Sequence, residues 1–327
     1  MNLSYVDLIA KAVLYEGYML YPYRPSSVKN RQRFNFGVLY PRAYSEVQGG
    51  ADTYCLRTEC LVRGVSGALL EVRLRFLQLQ VRYSRRECSA STPNDWQEAI
   101  EREIEVPAFT LAGAIAQPVV QSIGFSARTA IDVDPQTRDE IVRCQSELRG
   151  EAEIAVQQVH ENLFKATVDV RNTSTLETSN STRDSALLQS LVSMHAVLGV
   201  SGGEFISLLE PPAELQEIAS HCENIGVWPV LVGDASQRDT LLASPIILYD
   251  YPQIAPESAG DLFDGTEIDE ILTLRIMTLT DDEKREIRGS DERARQILDR
   301  TDNMPAEQFV KLHGAVRGLR PFKESTP

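Results

Sequence analysis

The sequence predicts an α+β fold, with an antiparallel, β-rich, sandwich-like body over residues 1–255 and a charged helical segment over residues 256–327. Alternation of apolar and polar residues dominates the first part. Such alternation gives a strand one apolar face and one solvent-exposed face, which is typical of antiparallel sheets. After about residue 256, helix-capping patterns replace this alternation. The apolar fraction of 43% and the charged fraction of 24% are normal for a globular protein.

The chain begins with a helix signal. Ser4 to Asp7 resembles a capping box. The apolar residues that follow are spaced to share one helix face: Tyr5, Ile9, Val13 and Leu14. This helix must end before Pro22, and prolines over residues 21–33 predict a loop there because they fix φ and remove backbone donors.

Two stretches of period-two alternation give the strand predictions. Apolar residues occupy the even positions of 70–76 and then the odd positions of 77–83, so a phase change within one strand predicts a β-bulge. Residues 154–159 and 164–170 are separated by a short polar stretch that begins with His160, which predicts a hairpin.

The rest of the body is predicted from composition and turn residues. Helices are predicted over residues 135–148 and 184–194, and loops or turns at 64–67, 172–182 and 199–203. Pro211 and Pro212 open a short helix, and residues 228–232 and 246–249 are interpreted as buried strands. In the C-terminal segment, capping boxes at Thr266–Asp269 and Thr280–Glu283 start short helices, and another helix is predicted over residues 305–316.

Charge and hydropathy exclude several classes of protein. The net charge is −14, and an acidic protein repels phosphate backbones, so we predict no nucleic-acid binding. The N-terminus lacks the pattern of a signal peptide, and no apolar stretch is long enough to span a bilayer. We therefore expect a soluble, cytoplasmic protein without membrane insertion.

No catalytic or metal-binding signature is present. The five cysteines are scattered, without a CxxC pair, which fits a reducing compartment. If residues 53–62 form a strand, the odd spacing of Cys55 and Cys60 places their thiols on opposite faces. His221 and Cys222 are adjacent, and the side chains of adjacent residues usually point apart. We predict no catalytic residue, no metal and no cofactor.

An arginine- and tyrosine-rich loop is the first candidate site. Guanidinium and aromatic side chains alternate in it, and the candidate residues are Tyr21, Tyr23, Arg24, Lys29, Asn30 and Arg31. Such a loop suits stacking on single-stranded nucleic acid, a protein interface, or an internal clamp on an acidic part of the chain. The net negative charge argues against nucleic acid.

An acidic segment is the natural counterpart of this loop. Its candidate residues are Asp250, Tyr251, Glu257, Asp261 and Asp264, in a run interrupted by proline and glycine. Paired carboxylates could hold Mg²⁺, but no EF-hand spacing is present. A solvated or arginine-pairing face is the favoured interpretation.

Four longer stretches carry a family resemblance: residues 15–36, 203–212, 224–233 and 244–275. They resemble an uncharacterised protein family associated with operons of actinobacterial-type, oxygen-tolerant nickel–iron hydrogenases. The match spans most of the chain. It implies an accessory, assembly or maturation factor for the hydrogenase, with hydrogenase subunits or maturation factors as partners, and it brings no catalytic residues.

We therefore expect a non-catalytic protein that binds a protein partner through the Tyr/Arg loop and the acidic segment. One alternative is a metal-dependent enzyme whose site lies between that loop and Asp261 and Asp264. A second alternative is a scaffold protein unrelated to hydrogenase.

Overall fold

The computed structural model describes residues 3–15, 34, 36–50, 52–85, 96–133, 138–176, 182–234, 236–253, 276–290 and 292–304. The chain divides into two compact units. The first contains residues 1–19 and 32–253, and the second contains residues 20–31 and 254–327.

Ten strands, all in the first unit, form one hydrogen-bonded sheet. They are β1 (Cys55–Ser84), β2 (Trp96–Thr110), β3 (Val119–Phe125), β4 (Arg128–Val133), β5 (Glu140–Gln145), β6 (Leu148–His160), β7 (Leu163–Asn172), β8 (Val192–Ile206), β9 (Trp228–Leu231) and β10 (Thr240–Ser244). Every pairing is antiparallel. The predicted β-rich α+β class is confirmed.

Short helices accompany the sheet in the first unit. They are α1 (Leu3–Leu14), α2 (Arg42–Val47), α3 (Leu111–Ala116), α4 (Arg183–Leu187), a 3₁₀ helix (Ala213–Leu215) and α5 (Gln216–Ser220). The last two confirm the helix predicted after Pro211 and Pro212. On α1, the predicted apolar face is buried at Ile9, Val13 and Leu14.

Strand β1 is 30 residues long and pairs with four other strands of the sheet. One of its edges pairs first with β7 and then with β2, while the other pairs with β8 and then with β5. The main path of the sheet runs β3-β6-β7-β1-β8-β10-β9. One core cluster draws residues from β1, β2, β3, β6, β7, β8, β9 and β10.

Two strand predictions are confirmed in detail. The β1–β8 register shifts between Arg75 and Leu77, where the apolar phase changes in the sequence. The predicted hairpin is β6–β7, which turns at residues 161–162. In the hairpin, alternate residues of β6 and of β7 are buried, and this fixes its register.

Three helix or strand predictions are wrong. Residues 135–148 were expected to be helical, but 140–145 form β5, whose Ile141 and Val142 are buried between neighbouring strands. Residues 184–194 form a helix only as far as Leu187, because the chain then enters β8. Residues 246–249 are not a strand: the strand there is β10, which ends at Ser244, and Pro245 follows it without a backbone donor.

The glycine-rich turns are also corrected. Gly64–Gly67 and Gly199–Gly203 lie inside β1 and β8, where Gly64 pairs with Gly203. The register shifts immediately after Gly64, and Gly202 has a φ of +81°. The glycines therefore form an irregularity within two paired strands, where backbones approach closely.

The second unit contributes two described helices, α6 (Asp281–Ser290) and α7 (Glu292–Asp302). Thr280 and Glu283 form the predicted capping box: the Thr280 amide donates to Glu283 Oε2 at 2.9 Å, and the Glu283 amide donates to Thr280 Oγ1 at 3.3 Å. Arg288 links the helices by donating to Asp299 at 3.0 Å and to Asp302 at 2.7 Å. The helix predicted over residues 305–316 and the capping box at Thr266 lie outside the described residues.

Candidate functional site

The segment after β10 carries two of the predicted site residues, and its side chains alternate between core and solvent. Ile246 and Leu248 pack against an apolar cluster formed by α1 and strands β8, β9 and β10. Ile247 and Tyr249 are 89% and 83% exposed. Residues 245–251 are called the outward segment below, because these two large side chains point away from the core.

Asp250 fastens the outward segment to the rest of the first unit. Its Oδ1 accepts from the Leu231 amide of β9 at 2.8 Å, and its Oδ2 accepts from the Ser207 hydroxyl. The Ser207 oxygen in turn accepts from the amides of Leu209 and Glu210, at 3.1 and 3.0 Å. The carboxylate therefore ties together the end of β9 and the turn after β8.

Tyr251 provides a second anchor. Its amide donates to the Leu231 carbonyl at 2.7 Å, its hydroxyl donates to the Gln237 carbonyl at 3.2 Å, and its ring packs against the main core. Its φ of +57° is uncommon for a side chain of this size, and such a conformation persists only where surrounding contacts fix it. Asp250 and Tyr251 thus hold the outward segment in one conformation.

The start of the outward segment is anchored by a buried polar group. Ser244 Oγ accepts from the Ile246 amide at 3.0 Å and lies 3.2 Å from His195 Nε2. His195 Nδ1 lies 2.7 Å from the Ser193 carbonyl, so Nδ1 carries the proton and Nε2 accepts from Ser244. The imidazole is fully buried, and burial lowers its pKa to about 4.

This arrangement excludes a catalytic role for the histidine–serine contact. Both side chains are buried, with 0% and 1% of their surface exposed, so no substrate reaches the Ser244 hydroxyl. The hydroxyl and the imidazole instead satisfy each other inside the core.

Cys55, Cys60, Cys222 and His221 have surroundings that give them no catalytic role. Burial raises the pKa of Cys60 and raises that of Cys222 to about 11, so neither thiol is activated as a thiolate. Cys55 is half-buried and Cys60 fully buried, in keeping with opposite faces of β1. His221 Nδ1 donates to the Glu217 carbonyl, at the end of α5, and does not engage Cys222.

The other predicted site residues lie outside the described residues: Tyr21, Tyr23, Arg24, Lys29, Asn30, Arg31, Glu257, Asp261 and Asp264. Their roles as partner-binding residues, and the alternative metal-dependent site beside Asp261 and Asp264, stay predictions. Within the described ranges, no group of three or more His, Cys, Asp or Glu side chains is arranged to hold a metal ion. No helix in those ranges is long and apolar enough to cross a membrane.

Sequence reasoning missed Ile247 and Tyr249 as surface residues. All four residues from Ile246 to Tyr249 are apolar or aromatic, so the run contains no polar position to show which side chains face solvent. The flanking Pro245 and Pro252 were the available signal, since proline disfavours a central strand.

A scan against protein-family models and a search of curated proteins each found no match to this chain.

Proposed function

We propose that this chain is a non-catalytic accessory factor that binds a protein partner during the assembly or maturation of a nickel–iron hydrogenase in the cytoplasm. The hydrogenase part of the proposal rests on the sequence resemblance, which includes residues 244–275 and therefore the outward segment. The partner is a hydrogenase subunit or a maturation factor.

One observation carries the binding part of the proposal. Two large side chains, Ile247 and Tyr249, are exposed on a segment that is anchored at both ends by hydrogen bonds to β8 and β9. Single exposed apolar residues are common on protein surfaces and need no explanation. An aromatic and an aliphatic side chain fixed two residues apart are different, because they form an anchor pair at little entropic cost on binding.

The anchoring groups hold the backbone that carries this pair before any partner binds. Asp250 and Tyr251 bond to Leu231, while Ser244 bonds to Ile246. Ordering a flexible side chain or loop on binding costs about 0.5–1.5 kcal/mol for each immobilised group. A segment already held in one conformation avoids part of that cost.

The test is a double variant, Ile247→Ser with Tyr249→Ser, measured by quantitative binding to the purified candidate partners. We expect at least tenfold weaker binding, since buried interface anchors contribute about 2 kcal/mol or more on truncation. Neither side chain packs in the core, so thermal unfolding of the variant should match that of the unmodified chain.

The matched control is Val120→Ser. Val120 is 57% exposed on β3, at the opposite end of the strand order from β10. This change removes an exposed apolar side chain without touching the outward segment, so partner binding should be unchanged. Equal binding by the double variant and the control would overturn the proposed binding surface.

A further inference from the structure

A cavity of about 270 Å³ lies where strands β1, β2, β4 and β5 meet. Its polar lining consists of Gln80, Arg102, Arg128, Arg143 and Gln145. Gln145 pairs with Gln80 across β1 and β5 and with Arg128 across β4 and β5, so these three residues share one face of the sheet. The apolar lining is small, at Ile100 and Ala130.

Arg102 is held in place by neutral groups. Its Nε donates to Gln78 Oε1 and its Nη2 to Gln145 Oε1, both at 2.9 Å. The guanidinium also lies 4.3 Å from the centre of the Phe125 ring. No carboxylate contacts Arg102 in the described part of the chain, and its Nη1 group has no hydrogen-bond partner there.

The two glutamines are themselves fixed. Gln78 is fully buried and donates to the Ser146 carbonyl at 3.0 Å, while Gln145 donates to the Ser126 carbonyl at 3.1 Å. These bonds fix each amide group with its oxygen toward Arg102. The guanidinium is therefore preorganised, and its partial burial lowers its pKa because the charged form loses hydration.

Arg128 and Arg143 complete the cationic lining. Arg128 is exposed, and its side chain has no hydrogen bond or ion pair among the described residues. Arg143 donates to Glu98 at 2.8 Å and to Asp132 at 2.7 Å. Glu98 is shared, since Arg82 lies 3.2 Å from its other oxygen.

The charges that line the cavity do not balance in the described part of the chain. Three guanidiniums line it, on Arg102, Arg128 and Arg143, and of these only Arg143 pairs with carboxylates, those of Glu98 and Asp132. This local excess of positive charge occurs in a chain whose net charge is −14. A partly buried cation without a counterion is unfavourable, so an anion in the cavity would be stabilised there.

We infer that this cavity binds a small anion that carries a carboxylate or phosphate group, with Arg102 and Arg128 as its principal ligands. Guanidinium groups match both anions because their parallel N–H groups can bond two oxygens at once. The volume is at or below the lower end of the range for small-molecule sites, so the ligand is compact. The site is separate from the outward segment and independent of the proposed hydrogenase role.

The experiment is calorimetric titration of the whole chain with inorganic phosphate and with succinate, at constant ionic strength in a buffer free of both. We expect saturable binding of at least one of them, with chloride showing none. Tighter binding of phosphate assigns a phosphate-bearing ligand, and tighter binding of succinate assigns a carboxylate.

The decisive variant is Arg128→Gln. The Arg128 side chain is exposed and makes no hydrogen bond or ion pair within the described part of the chain, so the variant should unfold at the same temperature, while its affinity for the bound anion should fall about tenfold. Arg149→Gln is the matched control: this exposed arginine lies on β6 and pairs with Glu147, outside the cavity, so affinity should be unchanged. No saturable binding by the unmodified chain, or equal affinity in Arg128→Gln, would overturn the inference.

Discussion

At the scale of the residue, His195 shows how burial sets a pH response. Its imidazole is fully buried between Ser193 and Ser244, and desolvation lowers its pKa from 6.5 to about 4, with the nearby Arg75 guanidinium acting in the same direction. The folded structure requires the neutral imidazole, because Nε2 accepts the hydrogen bond from the Ser244 hydroxyl. Protonation would cost this hydrogen bond and place a charge in the core.

We predict that the free energy of unfolding falls as the pH is lowered through the window from about 6.5 to about 4. Within that window the unfolded chain binds a proton at this histidine and the folded chain does not, so acid favours unfolding. Between pH 7 and pH 5 the loss attributable to His195 is about 2 kcal/mol.

Denaturant unfolding across this range, with the unmodified chain and His195→Asn, measures that loss. The variant lacks the titrating group, so its stability should fall less steeply with pH. His160→Asn is the control, since His160 is exposed at the end of β6. Parallel pH profiles for the unmodified chain and His195→Asn would show that the buried imidazole does not set the response.

At the scale of the element, the pairing of β1 with β8 depends on two glycines. Gly64 and Gly203 are directly opposite, and a Cβ atom on Gly203 would lie 2.8 Å from the Arg63 carbonyl oxygen. That contact is with the backbone and cannot be relieved by a side-chain rotation. Close approach of the two strands therefore requires glycine at this position.

We predict that Gly203→Ala lowers the free energy of unfolding by about 1–3 kcal/mol, because the strands must separate locally. Gly67→Ala is the matched control within β1, since a Cβ there has no neighbour within 4 Å. It should cost no more than about 0.5 kcal/mol, as removing a glycine also restricts the unfolded chain. Urea denaturation of both variants measures the difference, and equal losses would contradict the close-approach explanation.

The element scale also shows which parts of the fold the sequence predicts. The phase change at Phe76 and Leu77 and the β6–β7 hairpin were predictable because apolar and polar residues alternate in the sequence of these strands. In β1, Cys60, Leu61 and Val62 are all apolar and all buried, so the first part of the strand lacks this alternation. Residues 140–145 have a helical pattern, and pairing with β1 and β4 overrides that local preference.

At the scale of the whole molecule, only two of the predicted site residues, Asp250 and Tyr251, lie in the described part of the chain. The acidic segment drew attention to Asp250 and Tyr251, whose hydrogen bonds hold the outward segment in the structure. The exposed side chains next to them, Ile247 and Tyr249, could not be recognised because burial of an apolar run depends on distant elements such as α1. The arginine cavity could not be predicted either, since its lining side chains come from four strands and meet only once those strands have paired.

The net negative charge of the whole chain affects which partners it attracts. With a net charge of −14, long-range attraction favours a partner with a basic surface and disfavours nucleic acid. In the proposed complex the outward segment would supply short-range apolar contact, while charge would affect the association rate.

The most direct test of the central claim is capture of the tagged native chain from cells that express a nickel–iron hydrogenase with its maturation factors, followed by identification of what is bound. The proposal predicts recovery of a hydrogenase subunit or a maturation factor by the unmodified chain and by Val120→Ser, and its loss with Ile247→Ser and Tyr249→Ser combined. Recovery of no hydrogenase component, under conditions in which a known complex of that system survives, would contradict it.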